Sequence, residues 1–173
     1  MKYKLLRIIC YIFKLNWSKY STRFFRKKGM IIGENCKIYS DISTTESYLV
    51  ELGDDVTIST NVEILTHDNS ICKVDNNFTD LFGKVKIGNN CFIGANTLIL
   101  PGVKIGSGII VGAGSVVTKS FNEENIVIAG NPARKICTIE EYYVKNKDKA
   151  ANIKGMNYET KKKYIKTIKL IER

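Results

Sequence analysis

Aliphatic residues return at every sixth position through the middle of this 173-residue chain, at Ile87, Ile93, Ile99, Ile105, Val111 and Val117. The same step links Leu52, Ile58 and Ile64, and Ile32 with Ile38. A helix repeats at 3.6 residues and a lone strand at 2, so neither sustains a six-residue step. A solenoid does. Each hexad makes one short strand and a corner, and three hexads close a triangular coil. The aliphatic residue of each hexad points to the axis and stacks on its equivalents in neighbouring coils. A small or apolar residue follows four places later, as in Val56, Val62, Cys91, Thr97, Val103, Ile109 and Ser115. Gly33, Gly53, Gly88, Gly94, Gly106 and Gly112 come directly after aliphatic positions, where sharp corners would use their backbone freedom. The expectation is a mainly β fold, a parallel β-helix over residues 30–137.

The step is interrupted before Ile87. The spacing from Ile64 to Ile87 is not a multiple of six, so an excursion leaves the coil within 66–84. Asp68, Asn69, Asp75, Asn76, Asn77, Asp80 and Gly83 give it the composition of a loop. Loops of this length in compact domains are commonly functional or disordered. This one starts at His67, the sole histidine.

The two ends differ from the middle. The net charge of +10 divides into +9 for residues 1–30, −4 for 31–137 and +5 for 138–173. Leu5, Leu6, Ile8, Ile9, Ile12 and Phe13 follow helical spacing, with Lys4, Arg7, Tyr11 and Lys14 opposite, so residues 1–29 read as a basic amphipathic helical segment. Two roles are open to it: covering the exposed edge of the first coil, or lying on an anionic membrane surface. Residues 138–173 read as a Lys-rich tail of one or two helices broken near Asn152–Gly155. The longest apolar run near the start, Ile8 to Phe13, suits neither a signal peptide nor a membrane span. Five cysteines without a CxxC pair fit a reducing cytoplasm better than a disulfide framework. One histidine per chain argues against a multi-histidine metal site, and no metal is expected.

The run from Ile87 to Gly106, then Val111-Gly-Ala-Gly-Ser-Val-Val-Thr-Lys119 and Ala129-Gly-Asn-Pro-Ala-Arg134, resembles the hexapeptide-repeat acyltransferases. The likeness covers about 30–137 and points to the branch that acts on sugars and surface polysaccharides. It implies a left-handed coil, a homotrimer, and acetyl-CoA as co-substrate in a groove between subunits. It also implies that His67 is the catalytic base. Imidazole suits the removal of a hydroxyl proton at neutral pH because its ordinary pKa is about 6.5. Asp68 is a weaker candidate for orienting the ring, since the adjacent side chain tends to point elsewhere.

The same likeness implies cofactor contacts at Phe92, Gly94, Ala95, Gly112, Ala113, Thr118, Lys119, Arg134 and Lys135. Small residues let the pantetheine arm approach backbone, whose amides would polarise the thioester. Cationic groups would hold the phosphates, although Lys119 and Lys135 also read as ordinary surface lysines. Phe92 stands where many relatives carry Trp, which keeps a flat apolar contact and loses the indole N–H. The N-terminal segment departs from that of the maltose and galactoside enzymes, which favours a saccharide acceptor that is larger or lipid-linked. The expected activity is O-acetylation of a saccharide hydroxyl in surface polysaccharide biosynthesis, by direct transfer. N-acetylation of an amino sugar or sugar nucleotide is the alternative. A non-enzymatic scaffold or nucleic-acid binder is the remaining reading of the basic ends, and a nucleic-acid partner is not expected.

Overall fold

The computed structural model describes residues 2–13, 15–42 and 44–171. At its centre one chain winds three parallel stacks of short strands, which we call faces A, B and C. Face A stacks Ile31–Ile32, Val50–Leu52, Val85–Ile87 and Lys104–Ile105. Face B stacks Lys37–Ile38, Thr57–Ile58, Phe92–Ile93, Ile110–Val111 and Ile126–Gly130. Face C stacks Glu63–Ile64, Leu98–Ile99 and Val116–Val117. A chain that visits A, B and C in turn and then pairs in parallel with its own previous visit is a three-sided coil. Ile87 pairs with Ile105, Ile93 with Val111 and Ile99 with Val117, each partner three hexads further along the chain. These six side chains are at most 2% exposed, and Cys91, Thr97, Val103, Ile109 and Ser115 are buried beside them. Burying each Ile or Val contributes about 1.5–3 kcal/mol, so the axial column is the main source of stability.

The glycines do not act as the sequence suggests. The corner residues with left-handed backbone lie three places after the core aliphatic: Asn35, Asp55, Asn61, Asn90, Asn96, Gly102, Gly108 and Gly114. Asn and Asp tolerate this region because a short polar side chain offsets part of its cost. Glycines directly after the aliphatic answer to crowding instead. A Cβ on Gly94 would come within 2.5 Å of the Ala113 nitrogen and 2.6 Å of the Val111 oxygen in the next coil. The coil thus uses glycine where backbones stack and Asn, Asp or Gly where the chain turns.

Helices α1 (Lys2–Ile12) and α2 (Trp17–Lys27) precede the coil. The capping role falls to α2. Its Ser21 hydroxyl donates to the Ile38 carbonyl at 2.6 Å, and its Ser18 hydroxyl accepts from the Ile38 N–H at 3.2 Å. Arg26 donates to the Ile32 carbonyl from Nε at 3.1 Å and to that of Gly33 from Nη2 at 2.6 Å. Open strand edges on two faces therefore receive side-chain partners, and Phe25 closes the core beneath at 2% exposure. Leu5, Ile8, Ile9 and Ile12 of α1 stay exposed, so the one amphipathic segment read from sequence is two helices with different environments. Lys14 of its polar side lies outside the described residues, as do the side chains of Lys4 and Leu6.

At the far end Ile126–Gly130 turns back into an antiparallel partner, Ala133–Thr138, which covers the last edge of face B. The hexad pattern gives no sign of this hairpin. Helices α3 (Ile139–Asn146) and α4 (Tyr158–Ile165) follow, with a break between them in the region expected. Thr138 and Glu141 form a reciprocal capping box that starts α3.

Candidate active site

After Glu63–Ile64 on face C the chain leaves the coil. His67–Asp68 pairs antiparallel with Leu81–Phe82, and a short 3-10 turn, Ser70–Lys73, lies between them. The segment expected as a loop is thus a small two-stranded arm with a longer connection. Its base is closed by the Gly83 N–H, which donates to the Thr66 carbonyl at 2.9 Å. Re-entry to face A is fixed by Glu51, whose carboxylate bonds Lys84 and Lys86 at 2.7 Å each. Those two cations hold the Glu51 carboxyl down to about 2. His67 therefore projects from a strand anchored on both sides, and the ring of Phe82 lies 6.0 Å away on the paired strand.

The imidazole has a carboxylate partner that the sequence did not reveal. Glu46 Oε2 lies 2.8 Å from His67 Nδ1. Glu46 is held down to about 2 by hydrogen bonds from the Thr45 and Thr66 hydroxyls and from His67. An ionised carboxylate only accepts, so Nδ1 carries a proton, and in the neutral ring Nε2 keeps the lone pair. Thr66 spends its hydroxyl hydrogen on Glu46 at 2.7 Å, so in its 2.6 Å contact with Thr44 it accepts. This chain of donors fixes the carboxylate, which fixes the ring. The His67 side chain is 41% exposed and the Glu46 side chain 15%: an open ring on a sheltered support. Asp68, the weaker sequence candidate for orienting the ring, instead accepts from the Ser70 N–H at 2.8 Å, which lowers its carboxyl pKa.

Glu46 left one trace in the register. Ile32 pairs with Leu52 and Ile38 with Ile58, so the first coil is longer than the three hexads that separate Ile87 from Ile105. The surplus falls before Val50, next to the corner from which the arm departs.

The other expected site residues fall on two corners of the coil. Gly94 and Ala95, Gly112 and Ala113, and Ala129 stack in successive coils where face B turns into face C. The Gly94 N–H donates to the Val111 carbonyl at 2.9 Å, and the Gly112 N–H to that of Ile128 at 2.8 Å. Arg134 continues this column, since it pairs in register with Ala129. Phe92 lies 43% exposed on face B between Thr57 and Ile110. The Gly94 and Gly112 amides are committed to the next coil, so these two of the backbone amides expected to polarise the thioester are already engaged.

Thr118 and Lys119 sit on the opposite side of face C. The Leu65 N–H donates to the Ile99 carbonyl and the Leu100 N–H to that of Val117, so Thr66–His67 and Thr118–Lys119 leave equivalent strands at one corner. Lys119 Nζ lies 5.7 Å over the Phe121 ring, and Lys135 is paired with Glu123. Within one chain, then, His67 shares a corner with Thr118 and Lys119, while the glycine column and Arg134 occupy the next corner round. Among the described residues no group of three His, Cys, Asp or Glu side chains is placed to hold a metal ion.

A parallel coil of hexads, with an oriented imidazole at one corner and a small-residue column at the next, fits an acyltransferase of the hexapeptide-repeat type. The family described as hexapeptide repeat of succinyl-transferase matches residues 84–119. The chain is 46% identical over 145 residues to protein CapG of Staphylococcus aureus, covering 81% of this chain and 84% of that one. It is 32% identical to the galactoside O-acetyltransferase of Escherichia coli strain K12 over 135 residues, 75% of this chain and 66% of the relative. A solved galactoside acetyltransferase in complex with coenzyme A superposes with a TM-score of 0.54 at 32% identity, over 75% of this chain and 62% of that one. The chain belongs to the hexapeptide-repeat acyltransferases and is an acetyltransferase.

Proposed function

We propose that this protein transfers the acetyl group of acetyl-CoA directly to a saccharide hydroxyl in the cytoplasm, in the assembly of a surface polysaccharide. The observation that carries the reading is the 2.8 Å bond between Glu46 and His67 Nδ1, which leaves Nε2 as the proton acceptor. In the reaction Nε2 takes the acceptor hydroxyl proton as that oxygen attacks the thioester carbonyl. The C–S bond then breaks, and the departing CoA sulfur takes the proton back from the imidazolium. The kinship with a galactoside O-acetyltransferase supports a sugar acceptor.

In this reading the coil is left-handed and the working unit a homotrimer. A groove between protomers then brings the His67 corner of one chain against the glycine column of its neighbour. The pantetheine arm runs along Gly94, Ala95, Gly112 and Ala113, with Phe92 as a flat apolar contact. Thr118, Lys119, Arg134 and Lys135 line the way for the nucleotide and its phosphates. A screen of saccharides with the purified protein, reading free CoA thiol, tests the proposal. Acetyl-CoA-dependent thiol release with sugar hydroxyls, giving a product that hydroxylamine cleaves, is expected. A hydroxylamine-stable amide formed on amino sugars would replace O-transfer by N-transfer, and no turnover with any acceptor would overturn the enzyme reading.

Two predictions belong to this site. Replacing Arg134 with Ala raises the KM for acetyl-CoA about tenfold or more, from the loss of a charge-assisted hydrogen bond, and leaves the acceptor KM unchanged. Equal changes in both constants would remove the phosphate role. Glu46→Gln lowers kcat about 10- to 100-fold while both KM values hold, because the base loses its charged support. Sign matters for stability. A carboxyl lowered from 4.5 to about 2 stabilises the fold fully above pH 4.5 and ceases to do so as pH falls toward 2. The Tm difference between the native protein and Glu46→Gln therefore closes across that window in thermal melts; a constant difference would mean that Glu46 acts through shape alone.

A further inference from the structure

One surface takes no part in the coil or the site. On α1, Leu5, Ile8, Ile9 and Ile12 recur at helical spacing and are exposed, and Phe13 and Leu15 continue the stripe. Ile12 is 64% exposed and Phe13 67%, whereas Cys10, facing the other way, is 3% exposed. The end of the coil is already closed by α2, so the stripe is not needed as a cap. A contiguous apolar patch of this kind marks a surface that meets something else.

Charge identifies the partner. Residues 1–30 hold nine Lys or Arg and no acid. Arg7, on the side of α1 opposite the stripe, and Lys19, Arg23, Lys27 and Lys28 on and after α2 are exposed. A second copy packed face to face would bring two such cationic segments together, with no acid in either to offset them. A surface that is apolar just beneath a layer of phosphates satisfies both features. No helix among the described residues is long and apolar enough to cross a membrane, so α1 would lie in the interface rather than span it.

We infer that α1 docks the protein on an anionic lipid bilayer, with Leu5, Ile8, Ile9 and Ile12 in the acyl boundary and the surrounding cations at the headgroups. This contact does not rest on the acetyl-transfer reading, since none of its residues belongs to the candidate site. In a cyclic trimer the three copies of α1 would lie at one end of the assembly and engage the same membrane plane, multiplying a weak single contact.

Co-sedimentation of the full-length protein with vesicles of pure phosphatidylcholine, and with vesicles of phosphatidylcholine mixed with phosphatidylglycerol, tests the inference. The protein should pellet with the anionic vesicles, remain in solution with pure phosphatidylcholine, and release as salt rises through several tenths molar. Ile8→Asp with Ile12→Asp should weaken partitioning about tenfold or more, leaving the Tm and the elution volume unchanged. Arg7→Glu should weaken it with a shallower salt dependence. Equal pelleting with neutral vesicles, or undiminished binding by the double variant, would overturn the inference. A double variant that elutes as a smaller species would assign the stripe to contact between copies instead, and would equally overturn it.

Discussion

Replacing His67 with alanine lowers kcat for acetyl transfer about 100- to 10,000-fold, the range that a positioned general base supplies, while acetyl-CoA binds nearly as tightly. The size follows from what replaces the imidazole. Water at the same place lacks a basic nitrogen fixed by a carboxylate, so the hydroxyl must lose its proton without help. The substitution removes a side chain 41% exposed on the arm, so it leaves no cavity in the core. Thr66 and Thr45 still bond Glu46, and thermal melts of the variant should match the native protein. Turnover by thiol release and acetyl-CoA affinity by calorimetry separate the two quantities. Retained turnover would remove His67 from the mechanism; loss of binding along with turnover would make its role structural.

The second large effect is on the fold. Gly94→Ala destabilises the protein by several kcal/mol, above the roughly 1–3 kcal/mol typical of overpacking, because the obstructing atoms are backbone. The added carbon would meet the Ala113 nitrogen at 2.5 Å, the Val111 oxygen at 2.6 Å and the Gly112 carbonyl carbon at 2.8 Å. Relief requires the coils to part, which breaks the 2.9 Å bond from the Gly94 N–H to Val111. Gly114→Ala is the control. Its Cβ meets nothing within 4 Å, and its only penalty is the left-handed φ of 71°, worth about 1–2 kcal/mol. Denaturant unfolding of both variants ranks the two causes. If Gly94→Ala proves no less stable than Gly114→Ala, inter-coil crowding is not the reason for glycine at that position.

The coil was legible in the sequence because its physics is periodic: every turn asks the same thing of Ile87, Ile93, Ile99 and their equivalents. The site was legible only in part. His67 stood out as the single histidine at the break in the period. Glu46 did not, since it is brought to the ring by a surplus in the first coil rather than by any motif, and Thr44-Thr45-Glu46 reads as ordinary loop. The same limit applies to the hairpin Ile126–Thr138 and to α2, each of which closes an end of the solenoid and so falls outside its repeat. The glycines were found for the wrong reason. Spacing revealed that they were required, and only the stacked coils show that crowding, rather than turning, requires them.

The Glu46 bond also sets how the protein should answer to pH. With Glu46 ionised down to about pH 2, the support of the ring is constant across any neutral working range.

In the proposed mechanism His67 meets the thioester where two protomers adjoin. A crystal structure of the protein bound to CoA tests this most directly. The thiol should end beside His67 Nε2, with the pantetheine arm lying along the Gly94 and Gly112 column of an adjoining chain. A thiol that ends at another corner of the coil, or CoA held by a lone monomer with the imidazole turned away, would contradict it.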